Sequence, residues 1–298
     1  MTGGNMREKT LAQTGQLRAL VREAAEKLFE AGIEEAHLDA RLLLEYAAGI
    51  TVQDYMMDPF QVLPEEKVRA YHEAVEKRAA RIPLQHITGQ QEFMGYPFRV
   101  NEHVLIPRQD TETFVECALE KLEPEMEVLD LCTGSGCIAA SLYLIGKKQG
   151  KVFPDRCFDA ADISAEALDT ARENCRALGA QVRLIHSDLF ERIEGSYDMI
   201  VSNPPYIRRG VIEGLQEEVR LHDPYIALDG HEDGLYFYRR IADEAGRHLK
   251  RGGWVLLEVG HDQSKDVSRF LAEAGFTCIQ GKKDLAGLDR VVMGMYNK

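Results

Sequence analysis

Apolar residues recur at helical spacing over the first part of the chain. Past Pro107 they fall instead in short runs separated by helical stretches. From Gln13 to Arg81, Leu17, Leu20, Val21, Ala24 and Leu28 share one helix face, followed by Leu38, Leu42, Leu43 and Tyr46, and then by Val68, Tyr71 and Val75. Turn signals at Gly32, Gly49 and Pro64 separate these stretches, Asp58-Pro59 lies inside the longest connection, and Arg78, Arg81 and Pro83 close the region. The pattern predicts a small helical bundle. Between Gly89 and Arg108, short segments around Phe93 and Tyr96 to Val100 flank Met94-Gly95, which predicts a two-stranded linker.

After Pro107 the pattern predicts strands over residues 127–131, 156–161, 182–186, 198–202, 254–259, 277–280 and 290–296. Helices are expected over 137–145, 165–178, 235–249 and 264–274. Strands alternating with helices imply an α/β unit, with a parallel sheet covered on both faces and an antiparallel strand at its end. Ligands of such sheets bind beyond the carboxyl ends of the strands, so the residues just after each strand are where chemistry is sought.

Length and charge narrow the picture. At roughly 150 residues per domain, 298 residues make about two domains. The composition, 45% hydrophobic and 29% charged, is that of a soluble globular protein. No apolar run approaches the roughly 18 residues of a membrane span, and the stretch from Met1 to Lys9 is polar, so no membrane association and a cytoplasmic location are expected. A net charge of −13 opposes phosphate-driven binding of nucleic acid. The six cysteines include no CxxC pair and the nine histidines no HExxH spacing, so no metal site is expected, and the cysteines read as reduced thiols that mostly fill the core.

Four segments at predicted strand ends carry the chemistry. In the first, the apolar strand Val128 to Leu131 runs through Cys132 and Thr133 into Gly134-Ser135-Gly136, where the glycines permit close backbone approach and a helix N-terminus offers free N–H groups. A nucleotide-type cofactor is the natural occupant. Taken alone, Gly134 to Ala139 also satisfies the G-x-G-x-x-A dinucleotide pattern. In the second, Asp162 is suited to accept hydrogen bonds from both hydroxyls of a ribose, since Ser164 is the better N-cap for the following helix. In the third, Asp188 is placed to accept from an adenine amine while Leu189 or Phe190 covers the ring.

The fourth segment is Asn203-Pro204-Pro205-Tyr206. Two prolines end a strand well, but that leaves the Asn and Tyr unexplained. The side-chain oxygen of Asn203 and the backbone oxygen of Pro204 can accept both hydrogens of a planar NH2 group, and Tyr206 can stack on its flat face. Such a site suits an amide or an aromatic amine, and it contains neither a nucleophile nor a metal. Methyl transfer from a sulfonium asks for little more than in-line positioning.

At these residues the chain resembles the class I S-adenosylmethionine-dependent methyltransferases with an N-P-P-Y motif and, among them, the release factor glutamine methyltransferases. The resemblance extends over nearly the whole chain after the first dozen residues. It includes Pro83 to Gly89, Ile106-Pro107-Arg108 with Asp110-Thr111-Glu112, Ala227 to Gly230, Asp233-Gly234-Leu235, Gly252-Gly253-Trp254 and Asp284 to Gly287. It implies a Rossmann-like, mostly parallel seven-stranded sheet over residues 109–298. Ahead of that would stand a helical substrate-binding domain over 1–84 and a β-hairpin linker over 85–108.

The resemblance also implies an activity, methylation of the N5 amide nitrogen of the Gly-Gly-Gln glutamine in peptide chain release factors, with S-adenosyl-L-methionine as donor; the protein itself is expected to be a monomer. Cys132, Thr133, Gly134, Ser135, Gly136, Asp162, Asp188, Leu189 and Asn203 would hold the cofactor, and Asn203, Pro204, Pro205 and Tyr206 the glutamine. The chain departs from the usual pattern at Cys132 and His231, where glycine is common, at Gln109-Asp110 for proline-glutamate, at Asp223-Pro224 for glutamate-proline, and at Leu288, commonly polar.

Other readings stay open at this stage. An adenine N6-methyltransferase acting on nucleic acid would present the same NH2 to the same motif, but it needs base flipping and a positive groove. A dinucleotide-dependent oxidoreductase or a non-catalytic cofactor-binding regulator would use the glycine turn alone. The stretch from Tyr206 to Asp233, without clear periodicity, reads as a functional lid. His231-Glu232-Asp233 reads as a helix cap rather than a metal site, and Trp254 as core.

Overall fold

The computed structural model describes residues 15–298, so the polar segment Met1 to Lys9 and the first residues of the helical stretch expected from Gln13 lie outside it. The chain forms two compact units, one ending at Gly89 and one running from Gln90 to Lys298.

In the first unit, helices span Leu17–Glu30, Ala36–Ala48, Val52–Met57, Glu65–Ala79 and Leu84–Thr88. Leu17, Leu20, Val21, Ala24 and Leu28 are buried, as the spacing predicts. The second helix differs from expectation. Leu38 and Tyr46 are exposed, and the buried face is Ala36, Asp39, Ala40, Leu43, Leu44 and Ala48. Small alanines let the neighbouring helices approach closely, so the two large apolar residues are turned outward. Within this unit Tyr71 donates to the Ala40 carbonyl at 2.9 Å, and Arg78 pairs with buried Asp39 at 2.7 Å. Arg78 is thus an internal tie rather than part of a basic surface.

The second unit opens with an antiparallel hairpin, β1 (Gln90–Phe93) and β2 (Tyr96–Arg99). It is built into this unit rather than standing as a free linker. Phe93 and Phe98 are buried in one core cluster with Phe114, Tyr143 and Phe158, each such burial being worth about 1.5–3 kcal/mol. Asn174 clamps the hairpin by accepting from the Arg99 N–H at 2.7 Å and donating to the Arg99 carbonyl at 3.0 Å.

Seven strands follow: β3 (Val128–Leu131), β4 (Phe158–Asp162), β5 (Arg183–His186), β6 (Tyr197–Ser202), β7 (Leu249–Glu258), β8 (Phe276–Lys283) and β9 (Asp289–Tyr296). Their order in the sheet is β5-β4-β3-β6-β7-β9-β8, with β9 antiparallel to both neighbours and the other pairings parallel. The strand β3 is buried throughout, as a strand covered on both faces must be. Helices Cys137–Lys148, Ala165–Leu178, Tyr236–His248 and Ser264–Glu273 fall close to their expected limits. The helix Gln109–Lys121 was not anticipated, because Pro107 and Arg108 read as the end of the linker.

Chain order reverses between β3 and β6, which makes their carboxyl ends the topological switch point of the sheet. Leu131 pairs with Ser202, and the Ser202 hydroxyl donates to the Leu131 carbonyl at 2.8 Å. The residues that leave these two strands, Cys132 and Asn203, therefore start side by side.

Candidate active site

At the switch point lies a cavity of about 320 Å³, within the usual size of a small-molecule site. All of its lining comes from the second unit. Cys132, Thr133, Gly134, Ser135, Asp162, Asp188, Leu189, Asn203 and Pro205 are on its wall. Gly136 closes the turn behind them, and its N–H donates to the Thr133 carbonyl at 2.9 Å. Pro204 is buried off the wall, and Tyr206 packs against the core and is also off the wall, so it is not placed there to stack on a substrate amide as expected.

The glycine turn is held from two sides. Its Gly134 N–H donates to Asp162 at 2.8 Å, and the other Asp162 oxygen accepts from the Ser164 N–H at 2.9 Å. A carboxylate offers about four acceptor directions, so Asp162 keeps capacity for two more donors. Burial pushes its pKa up against the pull of these N–H groups. Ser164 caps the next helix, accepting from the Ala167 N–H at 3.0 Å. From below, Thr133 donates to Asp130 at 2.6 Å, and the Ala139 N–H reaches the same oxygen at 3.3 Å.

Asp130 is fully buried, and burial lifts its pKa to about 7 despite the Thr133 and Ala139 bonds. Sequence reasoning gave this residue no role, although a carboxyl in the middle of an otherwise apolar strand was the available signal.

Cys132 has φ 58 and His231 has φ 67, the left-handed region that glycine occupies most easily. Both departures from the family pattern thus fall where the backbone itself explains the usual residue. The Cys132 thiol is pushed well up by burial, and Cys137 is pushed up to about 12 by the same cause. Neither is a nucleophile at neutral pH.

On the third segment, Asp188 accepts from Arg240 at 2.8 Å, and Leu189 faces the cavity. Phe190 instead stacks on His248, centroids 4.8 Å apart, so of the two candidates to cover a ring only Leu189 is placed for it. These groups together offer backbone N–H donors, a partly engaged carboxylate, a second carboxylate and an apolar wall, a set that suits a nucleoside.

The stretch after Tyr206 contains three short helices, Arg209–Ile212, Glu217–His222 and Tyr225–Leu228. Its neck is closed by Ile207 bridging to Asp229. Arg108, on the cavity wall, pairs with buried Asp223 and ties this excursion to the start of the unit. Of the cluster at 231–233, the His231 ring lies against Tyr236, Glu232 pairs with Arg209, and Asp233 accepts from the Leu235 N–H while pairing with Arg239. His231 Nδ1 also meets Arg209, at 3.2 Å, so His231 and Glu232 share that guanidinium while Asp233 turns to Arg239. Trp254 is half-buried, with the Lys121 ammonium 4.5 Å above its ring. The six cysteines are free thiols, with Cys278 exposed and Cys132 half-buried.

Two family models match the chain, a PrmC N-terminal domain over residues 19–89 and a methyltransferase small domain over residues 109–218. A release factor glutamine methyltransferase of Caulobacter vibrioides is 40% identical, over 92% of this chain and 94% of its own length. The chain belongs to the release factor glutamine methyltransferase family. A second member, from Geobacter sulfurreducens, is 40% identical over 90% of this chain and 92% of its own. Among solved structures, the hMettl16 catalytic domain in complex with MAT2A 3'UTR hairpin 6 shares the fold, with a TM-score of 0.53 at 16% identity over 76% of this chain and 83% of that one. The first matched segment ends at Gly89, where the first compact unit also ends.

Proposed function

We propose that this methyltransferase transfers a methyl group from S-adenosyl-L-methionine to the side-chain amide nitrogen of the glutamine in the Gly-Gly-Gln motif of peptide chain release factors. The observation that carries the reading is Asn203, which leaves β6 at the switch point beside the glycine turn and opens an Asn-Pro-Pro-Tyr segment in a chain of this family. When bound, S-adenosyl-L-methionine supplies an electrophilic methyl group on a sulfonium.

The turn from Cys132 to Gly136 would let the main chain approach the donor, Asp162 would accept from its ribose hydroxyls, and Asp188 and Leu189 would meet its adenine. The Asn203 side-chain oxygen and the Pro204 carbonyl accept the two amide protons of the glutamine. That leaves the nitrogen's electron pair aimed at the methyl carbon, while Pro205 and Tyr206 hold the segment rigid. Such alignment can supply roughly 7–11 kcal/mol of the barrier, and the proton that the nitrogen sheds as it is methylated would leave to solvent along one of these two hydrogen bonds. The helical unit ending at Gly89 serves recognition of the release factor.

The test is incubation of the enzyme with labelled methyl donor and a release factor. Label is expected on the Gly-Gly-Gln glutamine, and a glutamine left unlabelled while donor binds rejects the reading.

A further inference from the structure

Asn203 has a weakness as a gripping group. Its carbonyl and NH2 ends have nearly the same shape, and only one orientation presents an acceptor to a substrate amide. The opposite orientation sets donor against donor. Something behind Asn203 must select between the two.

Glu258 is placed to do so. Because Ser202 pairs with Leu257, the next residues, Asn203 and Glu258, stand side by side where β6 and β7 end. Glu258 is 2% exposed, and Thr111 and Asn203 are among the groups near enough to draw its pKa down. Its Oε2 is enclosed with no hydrogen-bond partner among the described residues. Behind it, buried Arg290 pairs with Asp284 at 3.0 Å and with Asp110 at 2.8 Å.

We propose that Glu258 is a positioning residue whose carboxylate accepts an Nδ2 hydrogen of Asn203 and so keeps the Asn203 carbonyl oxygen turned toward the substrate amide. The inference rests on the function proposed above for this site. In its neutral form the same carboxyl carries an O–H, which can donate to the Asn203 oxygen and favour the wrong orientation. Methyl transfer is then expected to need ionised Glu258.

Glu258 is pushed up to about 7, chiefly by burial, with Thr111, Arg290 and Asn203 pulling it down and Asp110 pushing it further up. Tyr206, Tyr238 and Cys137 also face it, and their ordinary values are all raised by burial, Tyr206 and Cys137 to about 12. These three stay protonated around neutrality. Asp130 also titrates near 7, but it sits under the glycine turn.

The experiment compares parent and Glu258→Gln, both checked for folding by thermal unfolding. In the parent, kcat is expected to rise through neutral pH. In Glu258→Gln, kcat should fall about tenfold to a hundredfold, in line with losing a hydrogen bond to a charged group. The rising limb should vanish, and KM for the donor should stay within about twofold. A variant that keeps the parent's kcat, or keeps the limb, overturns the proposal.

A second measurement does not depend on the variant or on turnover. The side-chain amide resonances of Asn203 in 15N-labelled parent should move with a midpoint near neutrality, and resonances that stay still across pH 5–9 overturn the proposal as well. A parent that transfers no methyl yet shows this shift would point to failure of the functional reading and not of the Glu258–Asn203 contact.

Discussion

The crevice has two banks, and they are built differently. On the bank of β3, β4 and β5, Asp162 and Asp130 are engaged mainly by groups of the turns and helix starts that follow the strands: Ser164 and Gly134 N–H on Asp162, and the Thr133 hydroxyl and Ala139 N–H on Asp130, with only Asp188 held by a distant side chain, Arg240. On the bank of β6, β7 and β9, Asn203 is backed by Glu258, Thr111, Arg290, Asp110 and Asp284, drawn from across the whole second unit. A turn that must bring main chain up to a ligand needs a fixed backbone, which short-range bonds supply. A side chain that must present one atom to a substrate needs its orientation fixed, and that takes neighbours from other elements. Donor binding should therefore be sensitive to local changes on the first bank, and turnover to changes on the second.

The largest effect separating the banks is expected from Asn203→Ala. Transfer to the release factor should drop by at least about a hundredfold, as for loss of one positioned group at a reacting centre, while donor affinity measured by calorimetry stays near the parent's. Equal losses in both would merge the two banks into one site. Next in size is Asp162→Ala, which removes the acceptor for the Gly134 N–H together with the ribose contact. Donor affinity is expected to fall roughly tenfold to a hundredfold, the scale of a hydrogen bond to a charged group, with kcat at saturating donor much less affected. A fall in kcat at unchanged donor affinity would reverse the assignment.

The same division governs what the sequence made legible. Nearly every residue on the first bank could be named from the chain, because glycine turn, strand and helix cap are contiguous and each residue type has a local reason to be there. Asn203 and Pro205 were legible on the wall for the same reason, whereas Pro204 and Tyr206, named with them, lie off it. Glu258, Arg290 and Thr111 were not singled out, since a glutamate closing an apolar strand acquires its role only once β7 lies beside β6. The helix Gln109–Lys121 escaped because its start at Arg108 carries no side-chain cap. The buried face of Ala36–Ala48 was missed because alanines, rather than the larger Leu38 and Tyr46, make the close contact. The misses at Glu258, Arg290 and Thr111 and along Ala36–Ala48 share a cause: packing partners, not local preference, decided them.

Within the first bank, two glycines should part company. Gly136 has φ 77, and an added Cβ would lie 3.1 Å from the Cβ of Ala171, so Gly136→Ala meets both backbone strain and crowding. A loss of about 2 kcal/mol in unfolding free energy is expected from the two together. Gly134 has φ 54 with nothing near the Cβ position, so Gly134→Ala should cost about 1 kcal/mol from strain alone. Its added methyl should instead weaken donor binding. Urea unfolding and calorimetry on both variants measure the two effects, and equal stabilities would mean that Ala171 gives way.

The shallowest effect concerns Asp130, whose folded pKa of about 7 stands above its ordinary 3.8 because of burial. Below pH 3.8 the carboxyl is neutral in folded and unfolded chains alike. Between there and about 7 the unfolded chain has released a proton that the folded chain keeps, so stability declines as pH rises, by at most about 1.4 kcal/mol per pH unit for this one group. Above that range both are ionised and the decline stops. Glu258 contributes with the same sign, so Asp130→Asn should flatten the decline between pH 5 and 7 without abolishing it. Urea unfolding at half-unit steps of pH measures the slope. A variant with the parent's slope would mean that Asp130 is ionised in the folded protein, and the brace beneath the glycine turn would then be a charged one.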